Sequence, residues 1–321
     1  MDVISNMLSH MHVSGRATGL LTMQGDWAFE SPESDEAVFH LISKGSLFVS
    51  FGEESVHLGK GDMILFTQGH KHVLGSAPSA PLVTFAEEDT RVRIHSVEDG
   101  EIFDAVKLGD GPETSIVCAR FNLGQAASRH LSRSFPDRII VHNANDKTTD
   151  LFDPLLRSIA EEAHSSSPGA LVALDGMINV LFVHFMRRWL EYPTASHRGW
   201  LRGLQDPKIA TALQLMHDMP AHEWSVQKLA NAAGMSRSKF AARFADLIGE
   251  PPLKYLTSWR MVLAAQALES APDRPLIDIA QSVGYQTEAS FSVWFKRQFG
   301  KPPGAWRKDS SLQTSVRQKV S

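Results

Sequence analysis

The chain has 321 residues, 43% of them hydrophobic and 21% charged, with a formal net charge of −4. That length and apolar content exclude a wholly disordered chain and leave room for two domains with cores of their own. The single cysteine, Cys118, excludes an internal disulfide framework and any Cys-rich zinc module, and it fits a reducing cytoplasm.

The charge is unevenly placed: residues 205–321 hold 15 Lys and Arg against 10 Asp and Glu, and residues 1–204 hold 17 against 26. A basic C-terminal part joined to an acidic N-terminal part is the pattern of a nucleic-acid module carried with a regulatory one. The opening MDVISNMLSHMHVSG lacks the basic region and apolar stretch of a signal peptide. The most apolar segment, Gly176 to Met186, reads as too short to cross a bilayer. A soluble protein without a membrane partner is expected.

From about residue 20 to 145, short apolar runs alternate with glycine, proline and charged breaks: LFVSF at 47–51, DMILF at 62–66, LVTF at 82–85, SIVCARFNL at 115–123 and RIIVHNA at 138–144. Such spacing predicts an all-β barrel or sandwich, assigned to residues 1–150. The pattern then turns helical, with DLFDPLLRSIAEEAH, a Ser-Pro-Gly break, and a second helix whose stripe is Leu171, Leu174, Ile178, Leu181, Phe182, Phe185 and Trp189. Val180, Val183 and Met186 widen that stripe, so this helix reads both as packed on the β domain and as a dimer interface. Residues 151–204 form this helical linker, whose end from 193 is polar, and the polar tail 309–321 is expected to be disordered.

Within a domain assigned to residues 205–308, the stretch from Val226 to Lys308 contains one unit twice. Leu229, Ala230, Gly234, Phe240, Phe244, Gly249, Pro252 and Tyr255 are answered in order by Ile279, Ala280, Gly284, Phe291, Phe295, Gly300, Pro303 and Trp306. Ala230 and Ala280 suit a close helix crossing, and Gly234 and Gly284 suit the tight turn between two helices. Ser236 and Thr287 stand at N-cap positions, and the paired phenylalanines at i and i+4 bury one helix face, leaving the other free to meet a groove. Gly249 and Gly300 stop those helices, with prolines behind them. A helix, glycine turn and helix occurs in many bundles, but two registered copies point to a double helix-turn-helix that binds DNA.

The segments SVQKLANAAGMSRSKFAARFADLIGEPPLKYLTSWRM and LIDIAQSVGYQTEASFSVWFKRQFGKPPGAWR strongly resemble the AraC/XylS family of bacterial transcription regulators over residues 207–308. The resemblance implies two helix-turn-helix subdomains joined by a helix from Leu253 to about Ser270, which is ~27 Å long at ~1.5 Å per residue and of the order of one DNA turn. Carried over by position, Arg237, Ser238, Ala241, Ala242 and Arg243 would face DNA in the first copy. Gln286, Thr287, Glu288, Ala289, Ser292, Val293 and Lys296 would do so in the second. Arg237 and Gln286 are the expected base readers, Lys239, Lys296 and Arg297 the phosphate contacts, and Glu288 a partner for a cytosine amino group. Ala241, Ala242 and Val293 stand where family members often carry long polar readers, which weakens bidentate readout.

The segment FHLISKGSLFVSFGEESVHLGKGDMILFTQGHKHVL looks like a cupin barrel. Gly61, Asp62, Gly69 and His72 match its second motif, whereas the ligand positions of the first fall near Pro32, Ser34 and Val38 and bind no metal. With His72, and His40 and His70 nearby in sequence, a residual zinc or copper site is one expectation, set against structural histidines. Cys118 reads as a small core residue or, with His40, as an effector or oxidant site, since some cupin-type members of the family respond to oxidants through paired cysteines; a lone cysteine cannot form that pair within one chain.

The expected protein is therefore multidomain: an N-terminal all-β cupin-like barrel with a helical linker, and a C-terminal all-α double helix-turn-helix. It would be a cytoplasmic DNA-binding transcription regulator and not an enzyme. Its partners would be double-stranded promoter DNA, RNA polymerase, a small-molecule or oxidant effector and a second copy of itself, with activation implied by the family resemblance. The rival readings are a metal-dependent cupin enzyme with a DNA-binding appendage and an effector-independent DNA-binding protein.

Overall fold

The computed structural model describes residues 13–83, 92–97, 100–107, 110–122, 136–143, 149–163, 167–191 and 200–309. They fall into two compact units, one from residues 13–122 and 136–191 and the other from 200–309. The expected tail beyond Asp309, the LVTF run past Val83 and the linker at 192–199 lie outside the described residues.

The first unit is built from β1 (Ser14–Gln24), β2 (Ala28–Ser31), β3 (Ala37–Lys44), β4 (Ser46–Phe51), β5 (Glu54–Gly59), β6 (Met63–Phe66), β7 (His72–Gly75), β8 (Val92–Val97), β9 (Gly100–Lys107), β10 (Glu113–Asn122) and β11 (Arg138–Val141). They form a seven-stranded sheet ordered β11-β6-β3-β10-β1-β9-β8 and a four-stranded sheet ordered β2-β7-β4-β5. The inner faces meet over a core that includes Met23, Trp27, Ile42, Leu47, Val49, Ile64, Phe66, Leu74 and Cys118.

β3 is buried from Ala37 through Ile42, because its two faces serve two cores. Val38 and Ile42 point into the barrel. Phe39, between them, meets Phe121 and Phe185 edge to face at 5.9 and 5.4 Å. Phe185 belongs to α2 (Ala170–Glu191), which follows α1 (Thr149–Ala163). At Gly15 a Cβ would come within 2.3 Å of the Phe121 ring and 2.8 Å of Ile178, and the Gly15 N–H donates to Asn179 Oδ1 at 2.9 Å. Only a residue without a side chain lets α2 approach β1 this closely.

Residues 170–190 are long and apolar enough, by length and composition, to cross a membrane; the sequence-based limit of eleven residues was too short. Packing accounts for that apolarity: Leu174, Ile178, Leu181, Phe182, Phe185, Met186 and Trp189 are buried. Leu171, Val172 and Val180 remain exposed, so the stripe reading is right for its inner edge.

The second unit contains α3 (Trp200–Leu204), α4 (Pro207–Asp218), α5 (Val226–Ala232), α6 (Arg237–Ile248), α7 (Pro252–Ser270), α8 (Leu276–Ser282) and α9 (Glu288–Phe299), with a last helical stretch at 303–309. It begins ahead of residue 205: a Cβ on buried Gly203 in α3 would stand 2.4 Å from Ile248 and 3.0 Å from Leu213, so α3 is part of the helical core.

Candidate functional site

The repeat folds as two helix-turn-helix units of matching construction. In the first, Ser225 caps α5 by accepting from Lys228 N. Gly234 turns the chain with φ +60°, and Met235 N donates back to Ala230 O at 2.9 Å. In the second, Gly284 turns at φ +87° and Tyr285 N donates to Ala280 O at 2.9 Å. Ala230, Ala280 and the four phenylalanines 240, 244, 291 and 295 are fully buried. Gly249 and Gly300 close α6 and α9 in the left-handed conformation. Thr287 caps α9 by accepting from Ser290 N, whereas Ser236 stands at the N-cap of α6 without a side-chain cap bond.

Burial of the phenylalanine face leaves the expected DNA residues outward. Arg237, Ser238, Lys239 and Ala242 on α6 are exposed and Ala241 is half-buried. Gln286, Thr287, Glu288, Ala289, Lys296 and Arg297 at α9 are exposed and Ser292 is half-buried. The N-terminal end of each helix thus carries polar side chains beside free N–H groups, which suits a phosphate or base edge.

Arg243 also makes a contact within the helical unit. Its guanidinium grips Asp206, with Nε and Nη2 at 2.9 and 2.8 Å from Oδ2. Asp206 also caps α4 by accepting from Lys208 N and Ile209 N. Burial opposes ionisation of Asp206, but the Ile209 and Lys208 N–H groups and Arg243 hold its carboxyl below the usual range. Arg243 therefore ties α6 to the start of α4. Arg243→Ala should lower the urea midpoint of the helical unit while leaving the salt slope of DNA binding unchanged. Lys239→Ala should do the reverse, reducing that slope by about one. Loss of the cap in Asp206→Ala should cost about 1 kcal/mol, and an unchanged midpoint in both Asp206→Ala and Arg243→Ala would refute the assignment.

At the matching place in the second unit stands Trp294, 40% exposed, beside Val293 at 66%. The Arg297 guanidinium lies 5.2 Å from the Trp294 ring centroid. The two recognition surfaces are therefore chemically unlike.

In the first unit, the barrel interior holds a chain of polar groups. β3 and β10 pair with His40 opposite Cys118. His40 Nδ1 is 3.1 Å from Cys118 Sγ, its Nε2 is 2.7 Å from His72 Nε2, and His72 Nδ1 is 2.7 Å from the His70 carbonyl oxygen. Because a carbonyl only accepts, His72 donates from Nδ1; in the neutral ring its Nε2 is then an acceptor. His40 must donate from Nε2, which leaves its Nδ1 to accept from the Cys118 thiol. Every proton position follows from that one carbonyl.

Burial fits this neutral chain. It pushes the Cys118 thiol up to about 12 and lowers His72 to about 4, partly offset by the bond to His70. Burial, and then His72, hold His40 well below the ordinary histidine range. Phe66 stacks on His72 with centroids 3.9 Å apart and planes at 10°.

His70, grouped with His72 from sequence, enters this chain through its carbonyl. Two nitrogens sharing a tetrahedral zinc stand about 3.3 Å apart at ordinary bond lengths, more than the 2.7 Å between the two Nε2 atoms, and the thiol faces the other nitrogen of His40. Among the described residues no group of three or more His, Cys, Asp or Glu side chains converges to hold a metal. The remaining residues of the cupin-like motif build turns. Asp62 accepts from Gly59 N and Asn143 N at 2.9 and 2.7 Å, and a Cβ on Gly69 would strike Ser34 O at 2.2 Å.

The sequence paired Cys118 with His40 and placed His40 near His72, but it gave neither the hydrogen-bonded chain through all three nor the bond of Asp206 to Arg243. A histidine inside the apolar run AVFHLI and an N-cap aspartate ahead of Pro207 were the available signals, but the pairings needed the strand register and the helix packing.

Residues 2–191 match the family model described as a cupin, and residues 229–309 match that of a helix-turn-helix domain. An AraC-like transcription regulator of Streptomyces antibioticus is 34% identical over 96% of this chain and 99% of its own. The RCS-specific HTH-type transcriptional activator RclR of Escherichia coli is 33% identical over 62% of this chain and 69% of its own. Among solved structures, the DNA-binding domain of AdpA in complex with a target DNA is 29% identical, with a TM-score of 0.32, covering 34% of this chain and 96% of that one. With a cupin-type barrel, two exposed recognition helices and relatives matched from end to end, the chain belongs to the AraC family of DNA-binding transcription regulators.

Proposed function

We propose that the chain is a transcription activator acting in the cytoplasm as a homodimer. It binds double-stranded promoter DNA through both helix-turn-helix units, contacts RNA polymerase, and is switched by an oxidant or other small effector at Cys118, His40 and His72. The observation that carries the sensor reading is the buried thiol hydrogen-bonded to a histidine pair inside the otherwise apolar barrel core. The relative named as an RCS-specific activator supports the sign of regulation.

A two-electron oxidant such as a peroxide would break its O–O bond, pass one oxygen to the thiol to give sulfenic acid, and leave as a single molecule of water from hydrogen peroxide or of the alcohol from an organic hydroperoxide. Cys118 is 7% exposed and packed in the barrel core, so only a small oxidant reaches it, and the added oxygen meets a filled interior. Displacement of His40 would then break its bond to His72, changing the barrel's packing and biasing a two-state equilibrium. With one cysteine in the chain, oxidation ends at sulfenic acid, at a mixed disulfide with a small thiol, or at a bridge between two chains.

Sequencing the genomic fragments retained by the full chain, with and without peroxide, tests both parts. A shared site upstream of a few genes, whose occupancy or transcriptional output changes with peroxide in the native chain and not in Cys118→Ser, is expected. An unchanged response in Cys118→Ser would remove the oxidant reading. Stoichiometric zinc or copper uptake abolished by His40→Ala would replace it with a metal signal, and diffuse salt-sensitive retention would favour a DNA-binding protein without an effector.

A further inference from the structure

We propose that Arg260 is the positioning residue that fixes the two helix-turn-helix units relative to one another, and so sets the spacing between the two halves of the DNA site. The inference rests on both units contacting DNA. Arg260 lies midway along α7. Its Nε donates to Pro220 O at 2.6 Å and its Nη2 to His222 O at 2.9 Å, so the guanidinium fork holds the loop between α4 and α5 of the first unit. The same group stands 6.0 Å from the Tyr285 ring centroid, just past the turn of the second unit. One planar cation thus touches both units, and a lysine, with a point charge, could not hold both carbonyls in that geometry.

The glycines of the two turns show that this contact belongs to the interface and not to the helix-turn-helix as such. A Cβ on Gly284 would lie 2.9 Å from Ala221 O and 2.9 Å from Arg260 Cζ and Nη2, whereas one on Gly234 would meet nothing within 4 Å. Both turns need glycine for their positive φ, but only the second is closed over by its neighbour. The helix one repeat earlier, Pro207–Asp218, carries no arginine, so duplication of the unit did not supply the clamp.

The stiffness of that joint has a direct reading on DNA. Adding one base pair between the half-sites rotates one of them by about 35° and moves it by about 3.4 Å. A clamped pair of units cannot follow, whereas a loosened pair can.

The test uses the full chain and the site it enriches from genomic DNA, with one base pair inserted or removed between the halves. The native chain should lose about tenfold or more in affinity for either altered spacing. Arg260→Gln should bind the original site about tenfold more weakly, yet discriminate among the three spacings by less than about threefold, with Arg260→Lys in between. Its salt slope should match that of the native chain, because the arginine is not proposed to touch phosphate. A variant that keeps the full spacing penalty would overturn the proposal, as would a salt slope smaller by about one. If scrambling one half-site leaves native binding unchanged, the premise of two DNA-contacting units fails instead. Melting of each variant reports folding, and Arg260→Lys serves where Arg260→Gln does not fold.

Discussion

Between pH 6.5 and 4 the barrel unit is expected to lose about 3 kcal/mol of stability through His72 alone. Its folded-state pKa is lowered from 6.5 to about 4 by burial, and each unit of difference is worth about 1.36 kcal/mol. Above 6.5 the ring is neutral in both folded and unfolded chains and the barrel has its full stability. As pH falls, the unfolded chain takes up the proton first, so stability declines until the folded ring also titrates. His40, held well below the ordinary histidine range by burial and then by His72, pulls in the same direction. Asp175 on α2, raised by burial, pulls the opposite way. Urea unfolding followed by far-UV circular dichroism at pH 7, 5.5 and 4.5 would show the decline. His72→Phe, which keeps an aromatic ring against Phe66, should flatten it, and a native barrel equally stable at the three pH values would contradict the neutral chain.

Phe295→Ala should cost the second helix-turn-helix about 3–5 kcal/mol, the usual loss for a buried aromatic ring. Phe295 is fully buried and meets Phe291, Phe299 and Trp306 at 5.6, 4.7 and 5.8 Å. Trp306 is fixed from behind by a bond from its indole N–H to Glu269 Oε1 at 2.9 Å, so the hole cannot close by a small shift of that ring. Hydrogen exchange should show α8 and α9 opening with α5 and α6 still protected, and binding to the two-part site should fall to the level of a single half. Protection of all four helices at the native level would show that the core repacks.

The double helix-turn-helix was legible because its signals are local: Gly234 and Gly284, the i and i+4 phenylalanines, and the closing Gly249 and Gly300 all act within a few residues of themselves. β4 and β10 were also visible as apolar runs. β1 escaped because the sequence SGRATGLLTMQ mixes glycine and threonine with its apolar residues and is bulged between Ala17 and Gly19. β7, HVLG, has only two apolar residues between a histidine and a glycine, without the continuous apolar run that marks β6. The hydrogen-bonded chain through Cys118, His40 and His72 was not legible for another reason. His40 and Cys118 are opposed only in the register of β3 with β10, and a slip of one residue would turn either side chain to the other face. The ion pair of Arg243 was not legible, because a position on a recognition helix says nothing about the carboxylate of Asp206 at the start of the helix before it.

The divergence between Arg243 and Trp294 has a consequence for gene control. The leading unit uses an arginine to brace itself, and the trailing unit presents an indole, a valine and a second arginine in the equivalent region. A protein with unlike halves reads a text that is not the same backwards, so each bound chain has a heading along the double helix. Turning the site end for end in front of its gene should preserve occupancy but aim the protein away from the promoter.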